Sequence, residues 1–132
     1  PHGGAREPDA GPFRRFAPLL GDHVALLVEE VAARCGLATG LLWSSAGSYL
    51  EWALRQVAEQ EEASAAGDGS AARIAAGARR TAEALLESRR WPDGRTNPLR
   101  GSVRWVEEDG RKVRRRRVCC LRSLPHVRSD EE

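Results

Sequence analysis

Two adjacent thiols, Cys119 and Cys120, directly follow the basic run Arg114-Arg115-Arg116-Arg117-Val118 and precede Arg122. A thiolate is a nucleophile and a metal ligand, and nearby positive charge lowers its pKa. Arginine cannot give up its proton, so that charge persists at every relevant pH. The stretch therefore suits ionised sulfur held on a metal or an iron–sulfur cluster. On the pair alone a second reading is equally open, in which the thiols close a basic strand and one packs as a small hydrophobe.

Other chemistry finds little support. The chain has no G-x-x-x-x-G-K-[ST] phosphate loop and no G-x-G-x-x-G behind a strand. It has no G-x-S-x-G elbow. Its three histidines, His2, His23 and His126, show no H-x-x-x-H spacing, which argues against a zinc-hydrolase site. His126, six residues beyond Cys120, is the one placed to reach a metal there, and imidazole can replace thiolate on an iron.

The elements that must position the thiols are read from hydrophobic period. Residues 1–15 form a Gly- and Pro-rich lead-in, and residues 16–132 a single domain. A first helix runs from about Phe16, with Leu20, Val24, Leu27, Val31 and Cys35 on one face and Gly36 as its stop. On this reading Cys35 is a buried structural thiol. A second helix starts near Thr39, with Leu42, Ala46, Tyr49, Ala53 and Val57 inward, widened by Trp43, Leu50 and Leu54. Its Trp43, Tyr49 and Trp52 belong to the core rather than a ligand groove, and Gly47 admits the close approach of another helix. A third helix covers about Ala71 to Arg90, with Ile74, Ala78, Ala82, Leu85 and Leu86 inward. Trp91-Pro92-Asp93-Gly94 stops it.

The period then changes to alternation. Val103 and Trp105 alternate with Ser102 and Arg104, and Asp109-Gly110 suits a two-residue hairpin loop. The spacing predicts a β-hairpin over 101–118, delivering a Cys-Cys segment over 119–125. Val113 and Val118 lie on opposite faces, so the return strand is bulged or exposed on both. The fold class is mainly α, about three helices followed by a C-terminal β-hairpin.

Totals bound the function. Apolar residues are 41% of the chain and charged residues 30%, as expected of a globular domain of 132 residues. No apolar run is long enough for a membrane span. Three cysteines in no framework spacing point to a reducing cytoplasm rather than a disulfide-stapled secreted domain. The net charge of +2 leaves no global polycation. The start at Pro1 and the end soon after the cysteines suggest a fragment or a processed chain.

Arg116-Arg117-Val118-Cys119-Cys120-Leu121-Arg122 before Leu124-Pro125 resembles the C-terminal signature of the FhuF-like ferric-siderophore reductase family. The approach, Asn97-Pro98-Leu99 and Val103-Arg104-Trp105-Val106, resembles it too, with a looser similarity over the helices. The resemblance implies one-electron reduction of ferric iron held by a siderophore, supplied by an unidentified electron donor. It implies Cys119 and Cys120 as two of four thiolates on a 2Fe–2S cluster. The other two form a Cys-x-x-Cys about ten residues on; that place falls near Glu131, and the sequence has no such pair. A truncated or degenerate member is therefore expected. Arg114, Arg115, Arg116, Arg117 and Arg122 would tune the cluster potential or steer an anionic ferric complex. Two rival classes stand beside this: a cluster-free scaffold acting through protein contacts, and a weaker one, a nucleic-acid binder using the basic hairpin.

Overall fold

The computed structural model describes residues 11–64, 67 and 69–117. The first rod is made of α1 (Gly11–Ala17), a π-helical segment (Pro18–Val24) and α2 (Ala25–Cys35), joined without a break. It starts at Gly11, ahead of the expected Phe16. Pro18 has no N–H to complete the α-helical ladder, and the helix widens at that residue. A turn closed by i→i+5 bonds holds one more residue, so the inward stripe slips by one position. Leu20 is followed inward by Val28, whereas Leu27 is 64% exposed. Cys35, expected to be buried, is the last residue of α2 and is exposed. Gly36 ends the rod at φ +64°, with its N–H on the Ala32 carbonyl.

Helices α3 (Thr39–Ser64) and α4 (Ser70–Glu87) pack along their lengths. Ala58 meets Ala75 and Ala78 at one end, with Leu54 beside them. Small side chains let the backbones approach there, and Ile74, expected inward, turns out to solvent instead. At the other end Phe13, Leu20, Leu85, Leu86 and Leu99 form the main core, flanked by Phe16, Trp43, Ala46, Leu50, Ala82 and Trp91. Trp43 and Trp91 meet edge to face at 6.0 Å between ring centroids. No helix among the described residues is long and apolar enough to cross a membrane.

The inward face of α3 differs most from expectation. Tyr49 and Val57, read as core, are exposed, as is Trp52. The buried residues are Ser44, Gly47, Ser48, Glu51 and Ala58. Their spacing of three and four is helical, but their polarity hides them from a hydrophobic period. Gly47 does admit a close approach, though of a loop and not a helix. A Cβ there would lie 2.7 Å from the Ser102 Cβ and 3.4 Å from the Leu99 carbonyl oxygen.

Between α4 and the hairpin, Asn97 organises the chain. Its buried amide donates to the carbonyls of Leu85 and Ser88 at 2.8 and 2.9 Å, which caps the end of α4. Its oxygen accepts from the Trp91 indole at 2.8 Å and from the Leu99 N–H at 3.0 Å. Every bonding position of the side chain near the helix end is therefore used. Ser102 Oγ donates to the Leu99 carbonyl at 2.6 Å, which holds it against Gly47.

Strands β1 (Val103–Glu108) and β2 (Arg111–Arg116) form a two-stranded antiparallel sheet. Asp109 and Gly110 both have positive φ, 50° and 73°, as the two-residue turn requires. The six-pair register runs unbroken from Val103 opposite Arg116 to Glu108 opposite Arg111. Of the two expected alternatives, a bulge does not occur within this register, and Val118 lies outside the described residues.

Replacing Gly47 by alanine is expected to lower stability by about 1–3 kcal/mol, the usual range for overpacking. Urea unfolding followed by circular dichroism measures it. Ser102→Gly in the same background should restore part of the loss, and an unchanged midpoint in the single variant would refute the steric account.

Candidate functional site

The basic run lies along β2 and the residue after it, and each of its arginines has a separate contact. Arg114 is half-buried: Nε donates to Glu51 Oε2 at 2.6 Å, and Nη2 to the Ser48 carbonyl at 2.7 Å and its Oγ at 3.0 Å. Arg115 makes a forked contact with Glu108 on the opposite strand, 2.8 Å to each carboxylate oxygen. Arg116 lies over the Tyr49 ring at 5.8 Å. Arg117 donates to the Arg100 carbonyl at 3.1 Å, and its N–H to the Ser102 carbonyl at 3.0 Å.

Arg114, Arg116 and Trp105 share one face of the hairpin, since Trp105 is the cross-strand partner of Arg114. That face lies on α3, where Arg55 stands 5.8 Å over the Trp105 ring. The sheet is thus docked on one side by guanidinium groups rather than solvated on both. Arg55 Nε is itself 3.5 Å from Glu51 Oε1, so Glu51 receives two cations.

An open groove of about 1110 Å³ runs between α3, α4 and β1. Six arginines and three glutamates line it, with Leu54, Leu86 and Trp105 as apolar parts. At the far end of the α4–β1 connection, the Asp93 carboxyl is held below its ordinary value, first by the Arg95 backbone N–H and then by its guanidinium. A depressed carboxylate adds stability above its ordinary range and loses it on acidification, and this one is too exposed to add much.

Of the residues expected to carry the chemistry, Arg114, Arg115, Arg116 and Arg117 lie on or next to β2 in one segment. Cys119, Cys120, Arg122 and His126 lie outside the described residues. Cys35 ends α2, and no group of three metal-binding side chains occurs among the described residues. Sequence reading missed Glu51 and Ser48 as partners of Arg114. The available signal was a polar stripe, Ser44, Ser48 and Glu51, on a helix that is apolar elsewhere.

The family model described as ferric iron reductase FhuF-like transporter matches residues 2–113. The matched span takes in all the helices and β1, and stops before Arg114. No curated protein and no solved structure matches the chain.

Breaking the Arg114 contact should loosen the hairpin. Arg114→Gln is expected to cost about 2 kcal/mol, reduced from a fully buried pair by the partial exposure of both groups. A double-mutant cycle with Glu51→Gln, read by urea unfolding, should give a coupling of about 0.5–3 kcal/mol. Additive single effects would show that the two side chains do not act as a pair.

Proposed function

From a chain that belongs to the FhuF-like ferric iron reductase family, we propose a one-electron reduction of ferric iron held by a siderophore. The family match over residues 2–113 is the observation that carries this reading. Ferrous iron is bound far less tightly by hydroxamate and catecholate oxygen donors, so reduction releases the metal. The electron comes from an external donor.

In this reading Cys119 and Cys120 supply two thiolates to a 2Fe–2S centre, whose chemistry when bound is one-electron transfer. An all-cysteine centre takes four thiolates. The 132 residues hold three cysteines, one of them the exposed Cys35 at the end of α2. A complete all-cysteine set is therefore not contained in one copy of this sequence. What this chain contributes is position: Arg114 fixes β2 on α3, and the backbone N–H of Arg117 on Ser102 fixes the last described residue before the thiols. The neighbouring guanidinium charge favours the ionised form of nearby sulfur.

The contacts of the arginines weigh against the nucleic-acid reading. Arg114 and Arg115 are spent on carboxylates, and Arg116 and Arg117 on a ring and a carbonyl. Phosphate contacts would have to displace these partners.

Loaded anaerobically with iron and sulfide, the chain is expected to hold at most one cluster for two copies. After chemical reduction it should convert a ferric chelate to ferrous iron, captured by a ferrous-specific dye. Replacing Cys119 and Cys120 together by serine should abolish both. A full cluster per monomer would contradict the thiol count. Ferrous iron formed equally by the serine variant, or by neither protein, would overturn the reading.

A further inference from the structure

The hairpin has two faces, and α3 takes up only one of them, through Trp105, Arg114 and Arg116. Directly opposite residues of an antiparallel pair share a face. The register therefore places Arg104 with Arg115, Val106 with Val113 and Glu108 with Arg111 on the other face. The three arginines and the glutamate there are exposed, and the two valines between them are half-buried. Strands of six residues make this face about 20 Å long.

Its charge is unbalanced. Arg115 takes both carboxylate oxygens of Glu108, at 2.8 Å each. Arg104 and Arg111 form no ion pair among the described residues. Three guanidinium groups thus share one carboxylate. Arg104 and Arg115 moreover stand directly opposite each other, where like charges destabilise a strand pair. A carboxylate brought from outside the chain to Arg104 would relieve that repulsion.

The make-up of the face selects the partner. Arginines around an apolar pair fit a protein surface of carboxylates around an apolar centre, since guanidinium and carboxylate bond in a fork and the valines can be covered. Nucleic acid suits it less. Glu108 would meet phosphate with like charge, and none of these six residues is aromatic, so a base finds no ring to stack on. Electron-transfer partners meet over small interfaces, below about 1,200 Å² in total, so a hairpin face can form the centre of one. The same strand leads to the thiols: Arg115 stands four residues before Cys119.

We propose that this outer face of the hairpin docks the electron donor, a small acidic protein that carries a one-electron flavin or iron–sulfur group. The assignment rests on the reading of the chain as a ferric-chelate reductase and names the partner that this reading leaves open. The reduced carrier loses one electron in the complex, and ferric iron gains that electron to become ferrous.

Binding is tested apart from reduction by titrating the full chain with oxidised carriers. Two are acidic, a flavodoxin and a 2Fe–2S ferredoxin, and one is basic, cytochrome c. At low salt at least one acidic carrier is expected to bind about tenfold or more tightly than cytochrome c, and to weaken as salt is raised. Arg104→Gln with Arg111→Gln should lower its affinity by about tenfold, as loss of two interface charges implies. Arg104→Lys with Arg111→Lys keeps the charge and should keep most of the affinity; circular dichroism checks that both variants fold. Absence of binding by both acidic carriers, equal binding of cytochrome c, or affinity unmoved by the glutamine pair would overturn the docking face. So would a single-stranded oligonucleotide that binds more tightly than either carrier. A chain that reduces a ferric chelate from a chemical reductant but binds no carrier would lose the docking face and keep the reductase reading. Charge-dependent docking on a chain that reduces no ferric chelate would overturn the reductase reading and leave a face for acidic proteins standing.

Discussion

The guanidinium of Arg114, held by Glu51 and by the carbonyl and hydroxyl of Ser48, is the contact on which the hairpin depends. A lone two-stranded hairpin is at best marginally stable in water. This one has few apolar side chains to spend, for Val103, Val106 and Val113 are only half-buried. Its attachment is therefore electrostatic and local. Removing water from a carboxylate costs free energy unless cations and hydrogen bonds replace it. Glu51 meets that requirement through Arg114 and Arg55 together. Strand and helix each satisfy a group that would be costly alone, and the contact couples their stabilities.

Gly47 and Ser102 extend the same seam by one turn. Along α3 the residues Ser44, Gly47, Ser48 and Glu51 make a continuous stripe that receives the loop and the hairpin. Asn97 sets the direction in which the chain reaches it, because its amide ties the end of α4 to Leu99 and Trp91. Helix cap, loop and strand are thus fixed by side-chain polarity rather than by a large core.

That explains which parts of the fold were legible in the sequence. The helices declared themselves through apolar period, and the hairpin through Asp109-Gly110, whose two positive φ values few residue pairs accept. The face of each helix was harder to read. On the first rod a regular period of 3.6 puts Leu27 inward, but the widened turn at Pro18 advances the stripe to Val28, and Cys35 lies exposed at the rod's end. On α3 the strongest apolar residues point out because the inward stripe is built for polar partners nearly sixty residues and more away. No local pattern encodes that Ser48 and Glu51 await Arg114.

The arginines show the same limit from the other side. In the sequence Arg114 to Arg117 is a block of four charges beside two thiols, and its natural reading is one electrostatic unit. In the fold adjacent strand residues face opposite ways, so Arg114 and Arg116 go to α3 while Arg115 turns to Glu108. Carboxylates compensate Arg114 and Arg115, while Arg116 and Arg117, on a ring and a carbonyl, keep their charge nearest the thiols in sequence. Arg89, Arg100 and Arg104, at the border of the groove, also have no carboxylate partner among the described residues. The conspicuous run serves first to hold the hairpin, from which the chain continues to Cys119 and Cys120.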